Sequence, residues 1–454
     1  MPRQFLERRT LAIVSALGLL SALSLSLTLR PQPGGVGSCH EIRAARYFDS
    51  TTKKVRSPAK ILVEGGKIQR HISTPRSEPC KVIDLQDATL LPGLIDTHTH
   101  LFMRDSAYYR GFSTELLSVV KHSDAERLAW GKESAQQLLF AGITTVRDLG
   151  NSGLFLDAQF EKFLNSNGGF ASPRIIYSGP GISGSGGQFP ENTPLAIVQK
   201  EYFPLLEPGL AAGIVARLNE NGATWVKVFA DGDPNPEKME QIVLESIVRE
   251  ARRLGKKIAA HSTEDATALH AVAAGVDSIE HGFGISTSTL SQMAKKGIFL
   301  VPTDFSRRVC DIIRMKNPDP QYQDPGRYLQ ERGIRLKEAV RLGVPVAFGS
   351  DAYSDMSAEG LNMGQAAKEG LYAYWEEGMN APDVLHAATL GSAELLGMAD
   401  QLGTLEAGSS ADIIAIKGDP LEDLRNLDQV IFVMKEGTVF TSPETVSSVA
   451  SHGQ

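Results

Sequence analysis

The chain has 454 residues, 42% of them hydrophobic and 22% charged, with a formal net charge of −7. That length accommodates a large domain and a smaller one, and the negative balance argues against nucleic acid as the main partner, because phosphate binding needs a basic surface. Three cysteines, Cys39, Cys80 and Cys310, lack Cys-x-x-Cys spacing, which excludes a cysteine-based zinc site and a disulfide-framework fold.

Residues 1–30 read as a targeting segment. Arg3, Arg8 and Arg9 precede the uncharged, largely apolar run 11–29, which Arg30 closes. A charged stretch followed by an apolar one is the signal-peptide pattern. Arg8-Arg9-Thr-Leu11 also resembles a twin-arginine export signal, and about 20 apolar residues suffice for an uncleaved membrane anchor. All three readings place the catalytic body outside the cytoplasm, since basic residues before the run obey the positive-inside rule. Residues 31–38 form a Pro/Gly linker. Val36-Gly-Ser-Cys39 is a loose lipidation look-alike, but Arg30 and the linker separate it from the apolar run. In an oxidising compartment Cys39 and Cys80 read as a disulfide across neighbouring strands, and Cys310 as a small buried hydrophobe.

Residues 39–92 carry short strand patterns, including a hairpin over 59–64 and 67–72 turned by Gly65-Gly66. The same style returns over 399–441, at 411–416, 430–435 and 438–440. Two β-rich flanks around a central body predict a small β-sandwich domain assembled from both chain ends. Residues 442–454 are polar and read as a loose tail.

Between the flanks, over 93–398, strand-like and helix-like segments alternate. Strands are expected at 94–98, 144–148, 174–178, 225–229, 257–261, 278–281, 298–302 and 346–350, with helices between them, for example at 126–140, 239–254 and 264–274. Eight strands alternating with helices is the (β/α)8 TIM-barrel pattern, α/β in class, whose active-site residues sit at the C-terminal strand ends. Pro92-Gly93 reads as a turn leading into the first strand.

The strand ends carry the chemistry. The first gives His98 and His100, two residues apart and so on one face. The fourth gives Lys227 in a wholly apolar strand, the fifth His261, the sixth His281 and the eighth Asp351. Four imidazoles and a carboxylate suit zinc or a similar divalent ion with positions open for water and substrate. A buried ammonium beside cations is disfavoured by desolvation and by like charge. Two outcomes remove that conflict: a neutral lysine acting as a base, or an amine converted by CO₂ to an anionic carbamate bridging two metals. The carbamate also suits the ligand count, because five ordinary ligands are too many for one open tetrahedral site and too few for two.

With these residues in place the chain resembles the amidohydrolase superfamily, and within it the imidazolonepropionase-like and prolidase-like metal-dependent peptidases and amidases, which include ochratoxin-hydrolysing enzymes. The resemblance covers nearly the whole chain after residue 30. It rests on Pro92-Gly-Leu-Ile-Asp-Thr-His-Thr-His100, Thr144-Thr-Val-Arg-Asp-Leu-Gly150, the Lys227 strand, His261, Glu280-His-Gly282, Gly349-Ser-Asp351 and Gly403-Thr-Leu-Glu-Ala-Gly-Ser-Ser-Ala-Asp412. It implies a binuclear site holding two divalent ions, zinc by expectation. His98, His100 and Asp351 would hold one ion, His261 and His281 the other, with carboxylated Lys227 bridging both. A metal-bridged hydroxide would attack an amide or peptide-like C–N bond, with Asp351 as general base and then acid. Many relatives carry a Gly-Gly-His motif after the third strand where this chain has Gly186-Gly-Gln188-Phe189, which unsettles the transfer of substrate preference.

The expected substrate is a small molecule or short peptide of the dipeptide or N-acyl amino acid type. Membrane contact is expected only through an N-terminal anchor, and a homo-oligomer stays open. The alternatives are a mononuclear cyclic-amide hydrolase or deaminase and, from another class, a non-catalytic scaffold on the same fold. Candidate substrate-binding residues are Arg147, Gln188, Arg307 and Tyr353, with Arg308 beside them; for Arg147-Asp148 an internal ion pair competes with that role. Gly179-Pro-Gly-Ile-Ser-Gly184 satisfies a dinucleotide fingerprint, but Gly186, Gly187 and Pro190 follow where a helix should open, so it reads as a loop bordering the site. His122, His270 and His386 lie on helix-like segments and read as structural.

Overall fold

The computed structural model describes residues 39–70, 79–104, 120–184, 186–189, 193–232, 238–316 and 324–441. The targeting segment, the linker and the C-terminal tail expected from the sequence lie outside the described residues. Among the described residues, no helix is long and apolar enough to cross a membrane.

The central body is a set of parallel strands alternating with helices. Leu94–Thr99, Ile143–Asp148 and Arg174–Tyr177 form one ladder. Gly181–Ser183, Trp225–Phe229, Lys257–Ser262, Ser278–His281 and Phe299–Val301 form another, all parallel, with Tyr202–Pro204 at its edge. The near-continuous burial of Leu94–Thr99, Ile143–Asp148 and Trp225–Phe229 is what parallel strands covered on both faces require. Single backbone bonds reach across the gaps between the ladders. Thr224 N–H donates to the Tyr177 carbonyl at 3.1 Å, Ala347 N–H to the Leu300 carbonyl at 3.1 Å, and Thr97 N–H to the Phe348 carbonyl at 2.8 Å. Ile95, Leu149, Trp225, Ala259, Val301 and Ala347, one from each of six segments, share a single buried cluster. The helices Gln241–Arg253, Asp265–Ala274 and Thr287–Lys296 pack their apolar faces on the outer side of the strands.

Two expectations are corrected here. The eighth segment, 346–350, is not a laddered strand; it makes one bridge, Val346 with Leu300. Ala347 N–H alone reaches the neighbouring strand's backbone; Phe348 N–H donates to the Ala387 carbonyl and Ser350 N–H to Asp96 Oδ1 at 3.0 Å. Pro92-Gly93 is not a turn. Pro92 ends a strand, Thr89–Pro92, that pairs with Ile413–Ile416, and Gly93 passes straight on into the first strand of the body. A Cβ at Gly93 would sit 2.1 Å from Thr144 Oγ1, so glycine here serves close approach rather than a bend.

The flanks build two sheets. Lys67–Gln69, Ala59–Glu64, Cys39–Ala44 and Lys81–Asp84 lie side by side in that order, and a six-stranded sheet draws Thr438–Thr441, Val430–Lys435 and Ile413–Ile416 from the C-terminal flank and Thr89–Pro92, Arg46–Asp49 and Lys54–Arg56 from the N-terminal one. Ile42, Ile61 and Val63 of the first sheet share an apolar cluster with Leu90, Ile413, Phe432 and Met434 of the second. Cys39 and Cys80 are disulfide-bonded, as the parallel pairing of His40 with Lys81 allows. Cys310 is free and buried.

Candidate metal centre

Within a strand, side chains alternate between faces, so Trp225, Lys227 and Phe229 point one way, as do Ser278 and Glu280. His281 should therefore point away from Glu280. It does not, because its backbone turns left-handed at φ 69°; Asp351 does the same at φ 52° and Thr303 at φ 58°. Non-glycine residues rarely adopt this conformation, and it concentrates at functional sites. These turns swing the last side chains of their segments into one place. Lys227 reaches the same place between two glycines: a Cβ on Gly181 or Gly150 would lie 3.5 or 3.8 Å from Lys227 Cγ.

The six predicted donors converge. Lys227 Nζ lies 3.4 Å from His98 Nε2. Asp351 Oδ1 lies 3.1 Å from His100 Nε2 and 3.7 Å from His98 Nε2, and Asp351 Oδ2 lies 3.9 Å from His281 Nδ1. The rings of His261 and His281 are 4.5 Å apart, and those of His98 and His281 5.2 Å. His98, His281 and Asp351 each offer a ligand atom within 4.8 Å of the others.

Each imidazole is held from behind, as metal-binding histidines are. His98 Nδ1 meets Glu280 Oε2 at 2.7 Å, His100 Nδ1 the Gly150 carbonyl at 2.9 Å, and His281 Nδ1 the Thr303 hydroxyl at 2.7 Å. His261 faces Asp231 through Nε2 at 3.4 Å.

The electrostatics suit cation binding. Burial, reinforced by Lys227, pushes His98 down to about 4, and burial holds His281 well below its ordinary range. Both are neutral and carry a free lone pair near pH 7. Asp351 is held below the usual carboxylate range, because His98 and His100 outweigh burial. Burial pushes the Lys227 amine down to about 8. Two neutral imidazoles, His98 and His281, beside the ionised Asp351, with their outward nitrogens already engaged, fit one or more divalent ions such as zinc.

The remaining sequence candidates separate. Arg147 is fully buried; it donates to Glu280 Oε1 at 2.9 Å and lies 4.2 Å from the Trp225 ring centre. The internal ion pair therefore exists, but with Glu280 in place of Asp148, and a substrate carboxylate has no route to the guanidinium in this arrangement. Asp148 instead accepts from Leu101 N–H at 2.7 Å and fixes the turn after His100. Tyr353 meets the His100 ring edge-on at 5.9 Å. Gln188 Oε1 accepts from the Tyr202 hydroxyl at 2.9 Å. Arg307 opens the helix Arg307–Lys316 and lines a surface groove with Arg308, Glu376 and Arg425, apart from the converging donors. Glu280, Thr303 and Asp231 were not assigned roles from sequence. Glu280 stood in a motif next to His281, and Asp231 follows the lysine strand by two residues, but only the fold shows which rings they hold.

Residues 89–440 match the Amidohydrolase family, and the chain belongs to it. It is 29% identical to an ochratoxinase of Aspergillus niger, over 92% of this chain and 91% of that one. It is 24% identical to an imidazolonepropionase of Thermoanaerobacter pseudethanolicus, over 82% and 86%. Among solved structures, a Xaa-Pro dipeptidase with bound methionine in the active site superposes with a TM-score of 0.75 at 26% identity, covering 89% of this chain and 100% of that one. The A. niger ochratoxinase structure superposes with a TM-score of 0.74 over 90% and 96%, at 24% identity. The chain is of mixed α/β content and has amidohydrolase fold neighbours of the TIM-barrel type, and the protein is a hydrolase acting on carbon–nitrogen bonds.

Proposed function

We propose that the protein is an exported amidohydrolase that uses two divalent ions to cleave the amide or peptide-like C–N bond of a dipeptide or an N-acyl amino acid. The observation that carries this reading is Lys227, a fully buried amine 3.4 Å from a histidine ring nitrogen. An ammonium there would face every cation the histidines could bind. A pKa near 8 leaves part of the amine neutral at neutral pH. Neutral Nζ can attack the carbon of CO₂ and lose a proton, giving an anionic carbamate. His98, His100 and Asp351 would hold one ion, His261 and His281 the other, and carboxylated Lys227 both. The ions, zinc by their donor set, would supply acidification of water to a nucleophile near neutral pH.

The chain's own groups do the rest. Asp351 Oδ2 takes the proton from the attacking water and returns it to the leaving nitrogen; its position at the end of a fixed segment, with its amide bonded to the His98 carbonyl at 2.8 Å, keeps it within reach of both. Tyr353, edge-on to His100, borders the substrate space. In this reading Leu94–Thr99, Ile143–Asp148, Arg174–Tyr177, Trp225–Phe229, Lys257–Ser262, Ser278–His281, Phe299–Val301 and the 346–350 segment close into an eight-stranded barrel, a closure favoured by the bonds from Thr224, Ala347 and Thr97, and the two flanking sheets face each other as a β-sandwich, in keeping with their common apolar cluster. The Cys39–Cys80 disulfide is in keeping with an oxidising compartment, and export rests on that and on the N-terminal pattern. The Xaa-Pro dipeptidase and ochratoxinase relatives favour dipeptide-like substrates.

The test is a panel of dipeptides and N-acyl amino acids assayed with Zn²⁺ present, run on the wild type and on Lys227→Ala. Hydrolysis by the wild type, with loss of both activity and bound metal in the variant, is expected. A fully active variant, or a wild type inert on the whole panel, would contradict the proposal.

A further inference from the structure

The helix Pro325–Leu342 connects the strand Phe299–Val301 to the segment 346–350. Val346 bridges Leu300 in parallel, so the helix runs back along the strands. Its first turns therefore lie on the side of the strands' C-terminal ends, where the candidate donors converge. Arg335 marks the level, because its guanidinium donates to the His281 carbonyl and to Asp304 Oδ2. Arg332 precedes it by three residues on the same helix face and stands about 4.5 Å further out along the helix axis.

Phe283 links Arg332 to the donors. It follows His281 by two residues, and its ring is 5.4 Å from the His281 ring. The Arg332 guanidinium lies over that ring, 3.7 Å from its centre, and 5.1 Å from the centre of the Tyr328 ring. Stacking on aromatic faces fixes the plane of a guanidinium and leaves its edges to donate. The Nε edge faces Asp304 Oδ1 at 3.8 Å, and the two Nη groups form the other edge.

The charges around Arg332 do not cancel. Asp304 and Glu377 are buried beside Arg335 and Arg332, and neither Asp304 Oδ1 nor either carboxyl oxygen of Glu377 meets a donor among the described residues. A proton on Glu377 removes that deficit, and burial, reinforced by Asp304, holds Glu377 well above the ordinary carboxylate range. One carboxylate, in contact with Arg335, then serves two guanidinium groups. The surplus positive charge falls on Arg332, whose side chain is 18% exposed against 4% for Arg335. Arg147 cannot take its place, being closed in against Glu280, and Arg104 is paired with Glu133 at 3.0 Å.

We infer that Arg332 is a specificity-determining residue that receives the carboxylate of the amino acid released by hydrolysis, with the Phe283 ring as the floor under its guanidinium. The enzyme then selects substrates that end in a free carboxylate and discriminates against their amides. The inference rests on the dipeptide and N-acyl amino acid reading above, and deepens it by naming the group the substrate must carry and the residue that reads it.

The test uses the full chain with Zn²⁺ present. Each dipeptide and N-acyl amino acid of the panel is paired with its C-terminal amide, and kcat and KM are measured for the wild type, Arg332→Met and Arg332→Lys. The wild type should prefer acid over amide by about 10–100-fold in kcat/KM, the worth of a charge-assisted pair. In Arg332→Met that preference should vanish through a rise in KM for the acid, and Arg332→Lys should restore part of it. Bound metal and the urea midpoint should change little, since methionine keeps an apolar stem on Phe283. A wild type that hydrolyses acids and amides alike, or an Arg332→Met that keeps the preference, overturns the inference and leaves the substrate reading standing. Equal loss on acid and amide in both variants, in step with lost metal or stability, would make Arg332 structural and contradict the inference. A wild type inert on every compound overturns the substrate reading and the inference with it.

Discussion

Glu280 ties the interior of the parallel strands to the candidate metal donors, with one oxygen on Arg147 and the other on His98. Burial opposes its ionisation, but Arg147 and His98 win and hold it down at about 2. Breaking one side of such a buried pair strands the other charge, at a cost of about 3–5 kcal/mol. Glu280→Leu should lose about that much in urea unfolding of the metal-free chain, and adding Arg147→Met should recover part of it; a double variant no more stable than Glu280→Leu would contradict this account. Asp157 makes a different prediction. It sits in the first turn of the helix Leu156–Ser166, where the helix dipole favours a negative charge, yet burial first, and Asp148 second, push it up to about 8. Unfolded, it would titrate at about 4. The folded chain therefore holds the proton more tightly across that interval, and the stability Asp157 contributes is fully present at low pH and lost as pH rises from about 4 to about 8. Asp157→Asn should remove that decline when denaturation midpoints at pH 5 and pH 8 are compared with the wild type, and an unaltered decline would place the titrating group elsewhere.

The strands were legible from apolar runs, and the candidate ligands from what stood at their ends. His98, His100, Lys227, His261, His281 and Asp351 could all be named because each follows a buried stretch that alternates with a helix-like one. What could not be read was local geometry that leaves no pattern. The left-handed turns at His281, Thr303 and Asp351 reverse the face a strand period would assign. Segment 346–350 reads as a strand from its residues, but the amides of Phe348 and Ser350 answer to Ala387 and Asp96, partners remote in sequence. Arg147 and Asp148 are adjacent, which suggested a pair, while the true partner of Arg147 is 133 residues away. Glycines set the clearances that position the lysine strand. A Cβ at Gly181 would stand 2.3 Å from a Phe229 ring carbon, and Phe229 backs His261. Gly181→Ala should therefore cost about 1–3 kcal/mol through overpacking and weaken Zn²⁺ binding together with stability. A variant with unchanged denaturation midpoint and affinity would show that the ring moves aside freely.

At the scale of the whole molecule, segments within 39–92 and 413–441 meet in a small β region beside the central body, and a disulfide closes part of it. Cys39 and Cys80 lie 41 residues apart in sequence, and a cross-link of that span contributes about 2–4 kcal/mol. Replacing both by serine should lower unfolding free energy by that amount under oxidising conditions, and reductant should bring the wild type down to the same level while leaving the variant unchanged; a wild type indifferent to reductant would contradict the role given to the bridge. The family was legible from sequence because its motifs are the strand ends themselves, and substrate preference was not, because the connections between elements leave no periodic pattern to read. The central claim is that buried Lys227 joins two ions into one hydrolytic site. Metal analysis of the purified full chain, taken with its activity, tests it most directly: two divalent ions per chain, falling together with hydrolysis in Lys227→Ala, is the result predicted, and an active enzyme holding close to one ion per chain would contradict it.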